Sequence, residues 1–164
     1  MLLLLYVPAL SPIFVLSLNL MDLIRNLLLS YPLNEQVMWS TNEWPIDNTT
    51  PEDGAKKPIF SGKSHNDNGS VVRFVDIPPG ASSPMHRTRT LDYGIVIFGE
   101  IELELDSGEK RTLKPGDTCI QRGTNHLWRN NTDKWGRIAF ILLHSKEIVI
   151  NGESLKEHGF PGEQ

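Results

Sequence analysis

Two histidines and an aspartate, His86, Asp92 and His126, are the side chains of this sequence best suited to chemistry. Two imidazoles and a carboxylate make a facial donor set that holds a divalent cation and leaves positions for oxygen and substrate; iron, zinc, manganese and nickel all accept such ligands. Thr88 follows His86 by two residues, and residues two apart on a strand share a face. Its hydroxyl is thereby placed to hold a water at the metal. Tyr93 and Gln121 are candidates to orient ligands or substrate, so Thr88, Tyr93 and Gln121 form the expected catalytic group. Trp128 and Phe98 are candidates to line a substrate pocket. The competing reading is a metal-free interior in which His86 and His126 hydrogen-bond to Asp92 and Thr88.

These residues fall in two glycine-bounded segments, Gly80 to Gly99 and Gly116 to His126. The surrounding sequence reads as short strands. Val71 to Ile77 is β-branched and aromatic and is stopped by Pro78-Pro79-Gly80. Tyr93 to Phe98 is an apolar run, as expected for a buried strand. Glu100 to Asp106 alternates, with Ile101, Leu103 and Leu105 inward and the glutamates outward on a solvated edge. Asp106-Ser107-Gly108 turns the chain into Lys110 to Leu113. Thr118 to Gln121, His126 to Arg129 and Arg137 to His144 complete the set, with a final short strand and polar tail after Ser145. Strands about ten residues apart, separated by Gly, Pro and Asn turns, indicate an antiparallel sandwich or barrel. The expected division is a leader over 1–37, an arm and first strand over 38–69, a barrel over 70–150 and a tail over 151–164. Trp39 to Asp53 carries two tryptophans and two prolines and reads as an extended arm across the barrel or a second subunit.

The chain has 164 residues, long enough for one domain with a core of its own. Its 13 glycines and 11 prolines suit a turn-rich β protein. A net charge of -4, with no basic stripe, argues against a nucleic-acid partner. No phosphate loop or nucleotide fingerprint is present, so no nucleotide cofactor is expected. The single cysteine, Cys119, excludes an internal disulfide and reads as a buried, inert thiol. Arg87 and Arg89 read as a solvated face, His144 as structural, and His65 and His158 as solvent-exposed.

Met1 to Leu20 is uncharged and leucine-rich, the composition of an anchor or signal. No basic residue precedes it, Pro8 and Pro12 interrupt it, and no small-residue cleavage site follows. The reading is a cytoplasmic protein with a start-site extension, the alternative being membrane contact through the leader. Asp22 to Leu29 has the length of two helical turns and is stopped by Pro32. Three sequons, at Asn48, Asn68 and Asn130, would matter only in a secreted chain.

The two segments resemble the cupin family. Its first motif is matched by Gly80, His86 and Gly99, with Thr88 in place of a second histidine and Asp92 in place of glutamate. Its second is matched by Gly116, Asp117, Gly123, His126 and Asn130. The resemblance covers Val71 to Lys146 and implies a single cupin jelly-roll β-barrel, all-β, with an N-terminal arm. Pro84-Met-His-Arg-Thr, Asp92-Tyr-Gly-Ile-Val and Gln121-Arg-Gly-Thr-Asn-His126-x-Trp128 are similar to a subgroup that includes fungal cupin-domain oxidoreductases encoded with polyketide synthases. That similarity implies an oxidoreductase of secondary metabolism, with His86, Asp92 and His126 as metal ligands and a small aromatic or polyketide-like ligand. A redox-neutral isomerase, dehydratase or decarboxylase and a non-catalytic binding barrel are the alternatives, because one fold hosts many chemistries. A homodimer is expected from the prevalence of twofold pairing.

Overall fold

The computed structural model of the chain describes residues 33–49, 51–56 and 65–159. The leader and the helix expected at Asp22 to Leu29 lie outside them. Among the described residues the elements are all strands: β1 (Asn34–Ser40), β2 (Ser70–Ile77), β3 (Thr90–Phe98), β4 (Ile101–Leu105), β5 (Lys110–Leu113), β6 (Thr118–Arg122), β7 (His126–Arg129), β8 (Gly136–His144), β9 (Ile148–Ile150) and β10 (Glu153–Leu155). No helix among these residues is long and apolar enough to cross a membrane.

A five-stranded sheet runs β1-β2-β8-β3-β6, a three-stranded sheet runs β5-β4-β7, and β9 pairs with β10. The pairings are antiparallel. Alternation explains how the sheets close on each other. Val71, Val75 and Ile77 of β2, and Ile138 and Leu142 of β8, point inward from the large sheet; Ile101 of β4 and Trp128 of β7 meet them from the small one. At about 25 cal/mol per Å² of apolar surface, this shared core is the main stabilising contribution. Gly99 makes the β3–β4 corner, with φ of 79°, and a Cβ there would lie 2.6 Å from the Cα of Gly136. Two glycines back to back let the chain turn from one sheet into the other.

Three expectations change. β1 begins at Asn34 and pairs with β2 from Asn34↔Asp76 to Ser40↔Val71, so the arm starts as an edge strand of the large sheet. Its polar sequence, Asn34-Glu-Gln, concealed it, because an edge strand with one face on the core needs few apolar residues. β3 is not buried on both faces: Val96 is 1% exposed, but Tyr93, Ile97 and Phe98 are exposed on the other side. β4 is no edge. It lies between β5 and β7, and Glu104 approaches Lys110 at 3.1 Å and Arg129 at 3.4 Å across the two neighbouring strands. The glutamates are outward, as expected, and paired rather than merely solvated.

Candidate metal centre

The candidate centre starts from a backbone bridge. His86 donates its N–H to the His126 carbonyl at 2.8 Å and accepts one back at 2.9 Å. Directly opposed residues of an antiparallel pair project to the same side. Their imidazole centroids accordingly lie 4.4 Å apart, tilted by 51°. Each ring is held by a second contact. His86 Nδ1 lies 2.9 Å from the Pro84 carbonyl, and His126 Nδ1 lies 3.0 Å from the Thr124 carbonyl. A carbonyl oxygen only accepts, so both Nδ1 atoms carry the proton and both lone pairs are on Nε2. This is how metal-ligating histidines are oriented.

Burial favours the neutral ring in both cases. It pushes the pKa of His126 down to about 4, the His86 ring adding to the effect and the Thr124 carbonyl opposing it. Burial likewise lowers His86, against the Pro84 carbonyl. Trp128 fixes the other side of His126, edge-on at 5.7 Å, and itself meets Phe140 at 5.3 Å. Trp128 is 4% exposed and so belongs to the interior, as a pocket wall requires.

Asp92 enters from β3, facing inward with Gln121 of β6 and Leu142 of β8 as its cross-strand neighbours. The Thr88 hydroxyl donates to Asp92 Oδ2 at 3.1 Å. Asp92 Oδ1 is buried, with the Thr90 hydroxyl as its polar neighbour on the same face of β3. Burial raises the Asp92 pKa above the usual carboxylate range, and the Thr90 and Thr88 hydroxyls oppose that rise. Gln121 is buried, accepts from the Thr124 hydroxyl and donates to Cys119 Sγ at 3.3 Å. Burial raises the Cys119 thiol, in keeping with an inert cysteine. Two pairs result, His86 with His126 and Thr88 with Asp92, and the ligand atoms of His86, Asp92 and His126 do not all come within 4.8 Å of one another. The donors fit a divalent cation in kind: two neutral imidazoles with lone pairs on Nε2, and a buried carboxylate.

Two candidates stand elsewhere. Tyr93 alternates with Asp92 and so lies on the outer face of the sheet, paired with Ile120 and Ile141. Phe98 follows a register shift after Val96 and lies 42% exposed, with the Arg137 guanidinium 5.5 Å from its ring centroid. Neither side chain faces the histidine pair. His65, expected in solvent, is 0% exposed. Arg87 and Arg89 are not simply solvated: Arg87 Nε donates to the Gly123 carbonyl at 3.1 Å, and Arg89 binds Asp67 at 3.0 Å. Asn130, the third sequon, is 0% exposed and donates to the carbonyls of Ile77 and Lys134, which makes it a structural tie rather than a glycan acceptor.

A second His-Asp-His grouping was not foreseen. Ligand atoms of His65, Asp67 and His144 all lie within 4.8 Å of one another, a spacing that could hold an ion. Its surroundings oppose one. Arg89 already occupies Asp67 Oδ1 at 3.0 Å, and the Asn68 N–H donates to His144 Nδ1 at 2.9 Å. The neutral His144 ring therefore carries its proton on Nε2, the atom 3.9 Å from Asp67. The grouping works as an ion network joining the loop before β2 to the end of β8.

The sequence reading also passed over Arg73. It lies on β2 between the buried Val71 and Val75, and its side chain is 12% exposed. The signal was available, since alternation places a charged residue in the middle of the apolar face.

A family model for the cupin domain matches residues 73–142. The chain is 47% identical over 121 residues to phomopsin biosynthesis cluster protein C' of Diaporthe leptostromiformis, covering 71% of this chain and 64% of that protein. It is 50% identical over 90 residues to oryzines biosynthesis cluster protein J of Aspergillus oryzae, covering 54% of this chain and 50% of the relative. The chain therefore spans only half to two thirds of these relatives. It is 42% identical over 133 residues to a cupin-domain-containing oxidoreductase of Neurospora crassa, covering 74% of this chain and 68% of the relative. Among solved structures, a Klebsiella pneumoniae protein with a double-stranded β-helix domain shares the fold at a TM-score of 0.52 and 19% identity, over 79% of this chain and 87% of the other. Matched motifs, two facing antiparallel sheets and this kinship agree: the chain belongs to the cupin family.

Proposed function

We propose that this barrel is a metal-dependent cupin oxidoreductase of secondary metabolism, acting on a small aromatic or polyketide-type intermediate. The observation that carries the reading is the bridged pair His86 and His126, each with Nδ1–H committed to a carbonyl and its lone pair on Nε2. Asp92, through Oδ1, is the third ligand. A bound metal would supply a redox centre and a place for the reacting oxygen. Thr88 holds Asp92 Oδ2, Gln121 faces inward beside Asp92, and Trp128 excludes water from His126. Relatives named cupin-domain-containing oxidoreductases support the reaction class.

The test is metal analysis of protein purified without chelator, followed by oxygen uptake with aromatic aldehydes and alcohols. About one equivalent of metal and substrate-dependent uptake are expected; less than about a tenth of an equivalent overturns the metal reading. A second copy of the chain is the proposed cover for the apolar outer face formed by Tyr93, Ile97, Phe98 and Ile120. Light scattering showing a monomer at micromolar concentration would dismiss it.

A further inference from the structure

Arg73 gives the barrel interior a feature that the metal reading does not use. It points to the same face of β2 as Val71 and Val75, opposite Phe140 on β8 and Val37 on β1. Its Nη1 donates to Glu35 Oε2 at 2.9 Å. Its Nε–H is buried with no hydrogen-bond partner. Phe140, its cross-strand neighbour, meets Trp128 edge-on, and Trp128 in turn packs against His126, so the guanidinium stands on the inward face that leads to the histidine pair.

Taking a guanidinium out of water is costly unless its donors are used. Val71, Val75 and Phe140 offer no side-chain acceptor. Glu35, half-exposed on the edge strand, serves one corner. The edge formed by Nε and its neighbouring Nη is the one that grips a carboxylate through two parallel N–H···O bonds.

We propose that Arg73 binds a carboxylate of the substrate through its Nε edge and so orients a small aromatic acid toward His86 and His126. This deepens the proposed function and rests on its premise that the barrel takes a small organic ligand. No bond is made or broken at Arg73; it is a binding residue.

The test is calorimetric titration of the full, purified chain with benzoate and with its neutral analogue benzamide, with metal counted on the same sample. Benzoate is expected to bind at least about tenfold more tightly, the worth of a charge-assisted bidentate contact. Arg73→Met is expected to erase that preference, and Arg73→Lys to keep only part of it. Glu35→Gln removes the competing carboxylate and is expected to tighten benzoate binding. Equal binding of benzoate and benzamide overturns the proposal, as does a preference that survives in Arg73→Met. A preference lost in His126→Ala but kept in Arg73→Met places the carboxylate on a metal instead and also overturns it. Should Arg73→Met not fold, Arg73→Lys and Glu35→Gln decide: unchanged benzoate affinity in both rejects the assignment. A metal-free wild type with an intact benzoate preference would reject the metal reading and leave Arg73 standing.

Discussion

His86 and His126 exchange both backbone hydrogen bonds, and that bridge sets their imidazoles 4.4 Å apart. Two rings that close cannot both carry charge cheaply. Burial and mutual repulsion act in the same direction, which keeps them as neutral bases at physiological pH.

One consequence is a pH dependence centred on His126. Its folded pKa is about 4, against 6.5 for an unperturbed imidazole. Between those values the unfolded chain binds more protons than the folded one, so stability rises with pH through the window. The contribution is fully present above pH 6.5 and is lost as pH falls toward 4. A displacement of that size is worth about 3 kcal/mol at most. Urea unfolding of chelator-treated protein between pH 4 and 7 is expected to show this slope, and His126→Gln to flatten it. An unchanged slope in the variant would remove His126 as its source.

Thr88 and Asp92 give a prediction of opposite sign. Thr88→Val keeps the shape but leaves Asp92 Oδ2 without its donor, at an expected cost of about 1–3 kcal/mol near neutral pH. The Asp92 pKa is raised by burial, so its anion opposes folding and the loss is largest above that pKa. In acid the carboxyl is protonated and the deficit shrinks. Thr88→Ser is expected to restore stability. Urea melts of the metal-free protein at pH 4.5 and 7.5 measure both effects, and a Thr88→Val deficit equal at the two pH values contradicts this account.

The spacing at Gly94 makes a packing prediction. A Cβ at Gly94 would lie 3.0 Å from the Phe140 ring, which is itself wedged against Trp128. Gly94→Ala is expected to cost about 1–3 kcal/mol by overpacking. Phe140→Leu in the same chain should recover part of that, with a coupling of at least about 0.5 kcal/mol in a double-mutant cycle. Strictly additive losses would mean that the two sites do not touch.

The two histidine groupings are separable by metal content. His126→Ala is expected to reduce bound metal at least about tenfold, because one of three ligands is gone. Asp67→Asn and His144→Ala are expected to leave it unchanged, since Arg89 already occupies Asp67 and Asn68 holds His144 Nδ1. Metal lost from the Asp67 variant and kept in the His126 variant would move the centre to the grouping of His65, Asp67 and His144.

Much of the barrel was legible because turns and alternation are local. Pro78-Pro79-Gly80, Asp106-Ser107-Gly108 and the Gly116 turn place strand ends within a residue or two of those observed. β1 was not legible, since its strand character comes from pairing with β2 rather than from its own composition. The buried state of His65 was hidden for the same reason: the partners that enclose it, Glu157 and His144, lie about eighty or more residues away.

The sequence alone determined the family and the two motif histidines, because motif spacing is a property of the chain itself. Only the tertiary structure decided what faces what. It joined His86 to His126 by a bridge between distant segments, turned Tyr93 and Phe98 to the outer face, and placed Arg73 inside beside Glu35. Which groups share a buried volume is fixed by strand register across the two sheets, and register is set by the packing of the whole core.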